Sequence, residues 1–543
     1  MASEAADTPG APPSTAPSRP GVGAYAWYAL FVLVLVYVIN FIDRQILSIL
    51  VGDIKRDLGV SDAQIGFLYG TAFAVFYALF GIPLGRLADS WYRGRLMAIG
   101  LALWSSMTAF SGFATTFGML ATARIGVGIG EASASPAAYS MISDSFPKER
   151  RATALSIYSS GLYIGGALSL PIGGLIVSRW SHAYPDPATA PLGLAGWQAA
   201  FLAVGLPGLL LALWVLSLRE PLRGASDGLS QPVVRPNAWS EFGRELAAIL
   251  PPLTLISVSR IPGALKINLA MLALVVAVAY GLIRLTGDWP QWSAYGLGIY
   301  SVFSWIQSLK ARDRPVHRLI WGTPTVVLLT IAFGSISFVT YATAFWLPPY
   351  VEATFYAGPL AHAQFITGMT AKEEVGLIIG WSSAFAAAAG VILGGYVSDL
   401  WRQRDPRGRL FVNMLSVVLP VPLVAFMLST DSLGALYVVT PLAQMFSSAW
   451  VGAAVATLQD LVLPRMRATA GATYILGTTM VGLALGPYFA GKMSMLTGGL
   501  GSGIACLFVM PPLTLLGLWF ASRRIADLEA TKVERARAAG ETI

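Results

Sequence analysis

The sequence predicts an all-α polytopic membrane protein built from two six-helix bundles with an inserted transmembrane hairpin. Three observations support this fold class: an apolar composition, a series of long apolar segments, and an internal repeat. Of the 543 residues, 55% are hydrophobic and 12% are charged, whereas about a quarter of a soluble chain is charged. About 300 apolar residues suffice for roughly fourteen spans of about 21 residues. This composition excludes soluble enzymes, disordered scaffolds and collagen-like chains.

Apolar segments of spanning length fall into two groups of six. Strands of an outer-membrane barrel would alternate in polarity, so these continuous runs favour helices. We assign an amino-terminal bundle to 26–217 and a carboxy-terminal bundle to 323–522. The spans are predicted at 26–50, 65–88, 95–114, 118–143, 152–178 and 196–217, and at 323–348, 375–400, 410–429, 434–458, 469–491 and 503–521.

The segment between the bundles, 218–322, is predicted to be a cytoplasmic linker with its own helices. Two further apolar runs, 267–285 and 290–309, flank a short turn and form the inserted hairpin. Before them, apolar residues recur at helical spacing, which indicates an amphipathic helix on the membrane surface or an ordinary linker helix. These apolar residues are Trp239, Phe242, Leu246 and Ile249.

Lys and Arg residues concentrate in the loops that share one side of the membrane with both termini. By the positive-inside rule, this predicts that both termini are cytoplasmic and favours a plasma (inner) membrane location. The net charge of +8 therefore indicates membrane orientation and no nucleic-acid partner. The tails are predicted at 1–25, disordered and rich in Ala, Pro and Ser, and at 523–543. The single cysteine, Cys506, excludes an intramolecular disulfide.

An internal repeat relates the two groups of spans. The segment Gly85–Leu96 recurs as Gly395–Leu410, each at the cytoplasmic end of the second span of its half. The segment Arg151–Tyr158 recurs 316 positions later as Arg467–Tyr474. Apolar composition alone would not produce matched Arg and Asp positions. A parallel repeat of six spans is the architecture of transporters that rock around a site at the membrane midplane.

Three motifs resemble known families. The loop Gly85–Arg93 resembles the signature between spans two and three of the major facilitator superfamily, although Ser90 replaces the usual basic residue and Tyr92 the usual glycine. Within that superfamily, Asn40–Arg44 and Arg124–Ser133 resemble the spinster family of lipid transporters. The resemblance covers nearly the whole chain outside the tails and the hairpin. It implies the major facilitator fold and a transport function.

Four ionisable residues lie within the predicted first and fourth spans: Asp43, Arg44, Arg124 and Glu131. A charge at the bilayer centre costs at least a few kcal/mol, so such residues are functional candidates. Helical rise puts Asp43 and Arg124 at similar depths and Glu131 about 10 Å deeper, close to the midplane. The resemblance implies that the two spans are neighbours, so we expect all four groups to face one aqueous cleft.

We predict two roles for these residues. A low-dielectric cleft favours the neutral acid and an approaching arginine favours the carboxylate, so Glu131 and Asp43 are the proton-coupling candidates. Arg44 and Arg124 are the substrate-binding candidates, because guanidinium groups hold phosphate through charge-assisted hydrogen bonds. The alternative is a structural ion pair, Asp43 with Arg124 or Arg44 with Glu131. Ser447 stands 316 residues after Glu131, so only the amino-terminal half carries this charge, which favours function.

Charged residues at the cytoplasmic helix ends form a second candidate site. The resemblance implies an intracellular gate, in which charge pairs hold the halves together while the cavity faces outward. The alternative is that these residues only fix the topology of the loops. The gate residues are Asp89, Arg93 and Arg151, repeated as Asp399, Arg409 and Arg467.

The predicted function is secondary active transport of an amphipathic anionic lipid, of the lysophospholipid or sphingosine-phosphate type, coupled to protons. The substrate class comes from the resemblance alone. The alternative is transport of another organic anion or drug, and a more distant one is an intramembrane lipid enzyme. His182, His317 and His362 all lie in loops or at segment ends, so we expect no enzymatic activity, metal or cofactor. We expect a monomer whose partners are substrate, protons and membrane lipids.

Overall fold

The computed structural model describes residues 23–223, 234, 236–358, 360, 362 and 364–541. It confirms the all-helical polytopic fold class. Among the described residues, eleven helices are long and apolar enough to cross a membrane. The remaining predicted spans are also helical: the third span, the fourth span and the second helix of the hairpin. Most of the predicted tail 1–25 lies outside the described residues.

The amino-terminal bundle contains six spans, of which the second and fourth are each divided into two helical segments. The first span begins at Ala24, two residues before its predicted start. The helices are Ala24–Leu58, Asp62–Tyr69 with Thr71–Ala88, Arg93–Ser111, Phe117–Glu131 with Ala134–Ser145, Lys148–Ala183 and Gly196–Leu216.

The carboxy-terminal bundle repeats this arrangement with more interruptions. The seventh span ends in a π-helical turn at Glu352–Tyr356, and the eleventh contains another at Thr478–Leu483. The helices are Pro324–Val351, Ala371–Arg404, Gly408–Val418 with Pro420–Ser429, Leu433–Ser448 with Trp450–Asp460, Arg467–Gly477 with Gly486–Thr497, and Leu500–Ala505 with Met510–Ser522.

A break in the fourth span is repeated in the tenth. The fourth span stops after Glu131 and resumes at Ala134, while the tenth stops after Ser448 and resumes at Trp450. Trp450 follows Ala134 by 316 residues, the spacing of the sequence repeat. The break leaves Glu131 as the last residue of its helical segment.

The linker and the tail contribute further helices. The hairpin turn needs Gly287, whose φ of +79° is a left-handed conformation that glycine adopts without strain. In the linker helix Ala238–Ile249, Trp239 is 57% exposed and Glu245 is buried. The other helices are Leu253–Ser259, the hairpin helices Ala264–Thr286 and Trp289–Arg312, then Arg314–Ile320, and in the tail Ile525–Ala530 and Lys532–Ala538.

The two bundles contact each other through three pairs of spans, and the two ends of the bundles differ in charge. The second span packs against the eleventh, the fifth against the eighth, and the first against the seventh. We call the end with the loops 89–92 and 405–407 the basic face and the end with the loops 59–61 and 498–499 the opposite face. The chain crosses from one face to the other with each span, so the described parts of both tails lie at the basic face.

The bundles are closed against each other in the half of the molecule near the opposite face. A Cβ at Gly70 would lie 2.6 Å from the carbonyl oxygen of Leu483, and one at Gly376 would lie 2.7 Å from that of Leu170. Such close backbone approaches require the absence of a side chain. Lys372 of the eighth span also forms an ion pair with Asp53 of the first. The bundles are therefore in contact both where the second span meets the eleventh and where the fifth span meets the eighth.

Candidate functional site

The centre of the site is a buried ion pair between the first and fourth spans. The Arg44 Nη2 atom lies 2.5 Å from the Glu131 Oε2 atom. Arg44 is 8% exposed and Glu131 is 1% exposed. The second carboxylate oxygen of Glu131 accepts no hydrogen bond from the described part of the chain. One oxygen therefore binds the guanidinium, while the other makes no hydrogen bond of standard geometry with the described residues, although the side chain of Asn40 lies beside this carboxylate.

Aromatic rings surround the guanidinium of Arg44. Its central carbon lies 4.4 Å from the ring centroid of Phe73, 4.9 Å from that of Phe41 and 5.4 Å from that of Tyr77. Ring faces attract cations, and the attraction strengthens when water is excluded. Phe73 and Tyr77 are four residues apart on the second span, so they share one face of that helix. Arg44 is thus held both by one carboxylate and by three rings.

Arg124 also lies near Phe73, and it contacts backbone instead of a carboxylate. Its Nε and Nη1 atoms lie 3.4 Å from the carbonyl oxygens of Leu68 and Asp43, respectively. Its guanidinium carbon lies 5.6 Å from the Phe73 centroid, and its Nη2 atom has no hydrogen-bond partner among the described residues. Arg124 is therefore a buried cation with donor capacity left over.

The carboxylate of Asp43 turns toward the third span. It is fully buried and lies beside Trp104 and Thr108, but it makes no hydrogen bond of standard geometry with the described residues. The Trp104 indole nitrogen and the hydroxyl oxygens of Ser105 and Thr108 are likewise buried without partners. Trp104, Thr108 and the Asp43 carboxylate form a small polar cluster inside the amino-terminal bundle.

The site lies directly under the contact between the bundles. The ring of Tyr69 stacks on Phe345 of the seventh span, with centroids 4.0 Å apart, and its hydroxyl donates to Gln45 at 2.7 Å. The Ser48 hydroxyl donates to the carbonyl oxygen of Phe345 at 2.6 Å. Any movement of the seventh span relative to the first therefore acts on the residues next to Arg44.

The four predicted residues gather in one region, but not in the expected way. Arg44 pairs with Glu131, as the structural alternative proposed, whereas Arg124 contacts the Asp43 backbone and not its carboxylate. All four side chains are buried in place of facing an open aqueous cleft. Sequence reasoning missed the rings that surround Arg44. The four-residue spacing of Phe73 and Tyr77 within the predicted second span was the sequence pattern that could have indicated two of these rings.

Arg93, a predicted gate residue of the amino-terminal half, makes several polar contacts. It is fully buried, forms an ion pair with Asp144 of the fourth span, and donates to Glu220 at 2.7 Å and Ser140 at 2.8 Å. It thereby ties the loop after the second span to the segment after the sixth. Asp144 and Glu220 were absent from the predicted set.

The carboxy-terminal half repeats this contact. Arg409 forms an ion pair with Asp460 and a second one with Asp399, at 3.2 Å. Arg409 and Asp460 each follow their counterparts Arg93 and Asp144 by 316 residues. The repeat thus carries a matched ion pair in each bundle, and both pairs join helices of the same bundle.

The other three gate residues lie at helix ends on the basic face. Asp89 ends the second span, Arg151 is in the first turn of the fifth, and Arg467 begins the eleventh. The ion pair of the bundle interface described above, between Lys372 and Asp53, lies instead at the opposite face.

Residues 33–487 match the family model of the Major Facilitator Superfamily (MFS). The chain belongs to the major facilitator superfamily. This family, the fold and the embedded charges agree with the resemblance found in the sequence motifs.

Individual MFS relatives cover most of the chain. An "MFS-type efflux pump" of Mycolicibacterium smegmatis (strain ATCC 700084 / mc(2)155) is 26% identical over 514 residues, 92% of this chain and 93% of the relative. "Protein spinster homolog 1" of Xenopus laevis is 24% identical over 478 residues, 87% of this chain and 74% of the relative.

A solved MFS structure also matches. It is a bacterial homologue of the human lysosomal transporter Spinster in an inward-facing and unoccupied conformation, with a TM-score of 0.65 and 25% identity. The match covers 95% of this chain and 99% of that chain. Together, these similarities support the spinster resemblance of Arg124–Ser133. The chain is an MFS transporter of the spinster type.

Proposed function

We propose that this transporter moves an amphipathic anionic molecule of the lysophospholipid or sphingosine-phosphate class by proton-coupled alternating access. The observation that carries the proposal is the Arg44–Glu131 ion pair, buried among Phe41, Phe73 and Tyr77. The guanidinium suits an anionic head group, and the rings suit its apolar remainder. The lipid class itself comes from the resemblance of the sequence motifs to the spinster family.

The ion pair provides a chemical basis for coupling. A phosphate and the Glu131 carboxylate are competing anions for one guanidinium. A proton bound to Glu131 removes the charge that holds Arg44, so the guanidinium becomes available to substrate. Release of the substrate then favours loss of the proton and renewed pairing. Glu131 acts as the proton carrier and Arg44 as the anion-binding residue in this scheme.

Arg124 and Asp43 have supporting roles in the proposal. Arg124 adds a second buried cation near Phe73, and its Nη2 atom, which has no hydrogen-bond partner among the described residues, is available to a second head-group oxygen. Asp43 is a second proton-binding group, enclosed by the donors of Trp104 and Thr108. A scheme with two carboxyl groups and two guanidinium groups keeps the site nearly neutral in each loading state.

The structure corresponds to one state of the proposed cycle. If the Arg-rich basic face is cytoplasmic, as the positive-inside rule favours, then the closed contacts at Gly70, Gly376 and Lys372 seal the outer side. The central site, whose charged residues are buried in this state, would then be reached from the cytoplasmic side. In the outward-facing state, we propose that Arg93 and Arg409 contribute to contacts between the bundles, together with the remaining gate residues.

The gate would consist of several weak ion pairs that together shift the equilibrium between the outward-facing and inward-facing states. Exposed ion pairs each contribute about 1 kcal/mol or less, which biases a two-state equilibrium without locking it. Asp89, Arg151, Asp399 and Arg467 lie at the helix ends where the basic faces of the two bundles would approach each other. We further propose that the transporter acts as a monomer in the plasma (inner) membrane.

A second candidate substrate class is another organic anion or a drug. The relative from Mycolicibacterium smegmatis, which spans most of the chain, is named an efflux pump. An apolar aromatic site with buried cations would also accept an amphipathic drug. The two substrate classes predict different responses in the same assay.

Proteoliposome transport tests the proposal. Purified protein is reconstituted with a labelled anionic lysophospholipid or a fluorescent anionic dye, with and without an imposed pH gradient. We expect lysophospholipid accumulation that responds to the gradient and is abolished by a protonophore. Accumulation that ignores the gradient would contradict proton coupling. Dye movement without lipid movement would replace the lipid class with the drug class.

A further inference from the structure

The inserted hairpin occupies a defined place beside the two bundles. Its first helix, Ala264–Thr286, lies at the periphery, where only Ala264 and Asn268 are buried. Its second helix, Trp289–Arg312, packs against the second span and the linker helix. The hairpin therefore lies on the side of the molecule where the second and eleventh spans meet, and not on the side of the fifth and eighth.

The second hairpin helix fills the seam between these two spans with apolar side chains. Trp305, 7% exposed, packs in one cluster with Leu79 of the second span and Met480 of the eleventh. At Gly298 a Cβ would lie 2.5 Å from the Met480 side chain and 3.0 Å from that of Val75. One helix thus contacts both bundles. The buried members of this seam cluster are Val75, Ala78, Leu79, Ile249, Trp305, Leu476 and Met480.

Polar contacts fix the same helix at the opposite face. The hydroxyl oxygen of Thr71 lies 2.7 Å from Gln291 Oε1 and 2.5 Å from the carbonyl oxygen of Ala484. Tyr488 donates to Asp288 at 2.8 Å, and the Lys492 Nζ atom lies 2.8 Å from the same carboxylate. The hairpin tip is therefore bound to the part of the interface where the bundles are already closed.

At the basic face, the hairpin is anchored through the linker helix to the amino-terminal bundle. Arg312 donates to buried Glu245 at 2.5 Å, and Arg86 of the second span lies 3.8 Å from the same carboxylate. The contacts with the eleventh span at this level are apolar, through Leu476 and Met480. Apolar surfaces slide more easily than ion pairs part, so on the basic-face side of the hairpin tip the eleventh span can move along the hairpin while the hairpin stays with the second span.

Hydrogen bonds between the two hairpin helices keep the hairpin rigid. Asn268 donates to Ser304 at 2.9 Å and to Gln307 at 3.0 Å, and Tyr300 donates back to Asn268 at 2.6 Å. Such polar side chains in a membrane bind helices together because lipid offers them no partner. The hairpin is thus a unit that can cover a seam without unfolding.

We propose that the hairpin is a lateral seal. It closes the membrane-facing seam between the second and eleventh spans, so that molecules dissolved in the bilayer reach the central site only through the seam between the fifth and eighth spans. Exposed apolar residues of those spans, such as Ile157, Ile164 and Phe385, are available to face lipid on that route. The seal follows from the packing, while its use by an amphipathic substrate rests on the proposed function.

Spin labels test the seal directly. The single cysteine is replaced (Cys506→Ser), and one new cysteine is placed either next to the seam cluster (Phe80→Cys) or on the fifth span (Ile157→Cys). In lipid nanodiscs, relaxation by oxygen reports contact with the bilayer. We expect at least threefold lower oxygen accessibility at position 80 than at 157. Equal accessibility at the two positions would overturn the proposal.

Loosening the seal provides a second measurement. The double variant Gly298→Trp/Trp305→Ala should raise oxygen accessibility at position 80 at least threefold and leave position 157 unchanged. Tyr280→Ala, on the exposed face of the first hairpin helix, is the matched control and should change neither. No rise at position 80 in a double variant that still purifies as a monodisperse protein would contradict a sealing role.

The substrate route is tested separately with a photoactivatable lysophospholipid incorporated in the nanodisc. We expect adducts on the fifth and eighth spans in the parent chain, and additional adducts on the second and eleventh spans in the double variant. Adducts on the second and eleventh spans of the parent chain would overturn the proposal. If the accessibility difference holds but no lipid is transported or labelled, the lipid function fails and the seal stands.

Discussion

Arg44 and Glu131 join the first and fourth spans through one ion pair, 2.5 Å long and almost completely buried. The fourth span breaks immediately after Glu131, so the carboxylate lies at the joint between two helical segments. A change in the charge of Glu131 therefore acts both on Arg44 and on the geometry of the joint. This arrangement makes the pair the first target for testing the transport scheme.

The Glu131→Gln substitution should abolish substrate accumulation driven by a pH gradient while leaving exchange of substrate across the membrane measurable. The amide cannot carry a proton, but it leaves Arg44 available to an anion. Uptake and counterflow in proteoliposomes measure the two processes. Ser447→Ala is the matched control, because Ser447 holds the equivalent position in the repeat, and it should retain both activities. Normal gradient-driven accumulation by the Gln variant would refute the assignment.

Removing the Arg44 charge should have a different effect. In Arg44→Gln, Glu131 loses its counter-ion inside the bundle, and breaking a buried pair in this way costs about 3–5 kcal/mol. We expect a lower midpoint of thermal unfolding and loss of both accumulation and exchange. The double variant Arg44→Gln/Glu131→Gln should recover much of the stability but no transport. A double variant no more stable than the single one would argue against direct pairing.

Lys372 is expected to control closure of the opposite face. It is 14% exposed and pairs with Asp53 of the other bundle, so Lys372→Met removes a cross-bundle contact. We expect the distance between spin labels at Phe113 and Leu496 to shift toward longer values. Arg56→Ala is the control, because Arg56 contacts the same Asp53 from the surface of the same bundle and is 70% exposed. An unchanged distance distribution in Lys372→Met would show that the pair does not hold this face closed.

The matched pairs Arg93–Asp144 and Arg409–Asp460 should differ in strength. Arg93 is fully buried with several partners, whereas the side chain of Arg409 is 16% exposed and that of Asp460 is 32% exposed. We expect Arg93→Gln to lower stability by about 3–5 kcal/mol and Arg409→Gln by about 1 kcal/mol. Thermal unfolding in detergent compares the two variants. Equal losses would mean that burial does not determine the contribution of these pairs.

The tail is expected to detach from the basic face in acid. Arg465 lies 2.9 Å from Asp313 in the linker and forms an ion pair with Glu541 in the tail. Burial by itself would raise the pKa of Asp313, but hydrogen bonds from Arg465 and from the Val316 amide hold it below its ordinary value. The hydrogen bond from Arg465 also lowers the pKa of Glu541.

Carboxylates with lowered pKa values stabilise the folded state above their ordinary pKa of about 4, and this contribution is lost as the pH falls through the lowered values. We therefore expect the protection of the helix Lys532–Ala538 against hydrogen exchange, relative to intrinsic exchange at the same pH, to fall below about pH 4 more than that of the bundles. In Arg465→Gln, the exchange of this helix should already be fast at neutral pH. Protection that does not depend on acid or on Arg465 would contradict this attachment.

The gate residues show how far a repeat can guide prediction. The motif around Arg93 and its copy around Arg409 are visible in the sequence, because both follow a helix end at matched positions. Their partners Asp144 and Asp460 obey the same spacing of 316 residues, yet they lie outside the motif. Searching for Asp or Glu residues that are repeated 316 positions later at helix ends would have identified Asp144 and Asp460.

The central site shows the limit of span-based reasoning. Helical rise places Asp43 and Arg44 at nearly the same depth in the membrane, but the side chains of adjacent residues on a helix point about 100° apart. Arg44 consequently meets Glu131, while the Asp43 carboxylate meets the third span. Which neighbour lies on each side depends on how the helices are rotated and packed, and no local pattern specifies that rotation.

By itself, the sequence determined the properties that depend on each segment alone: how many segments can enter a membrane, where charges lie along them, and which segments are copies of each other. Only the tertiary structure decided which charges meet, which face is closed and which seam the hairpin covers. The physical reason is that lipid contact selects apolar segments one at a time, whereas pairing depends on helix rotation and backbone approach, as at Gly70 against Leu483.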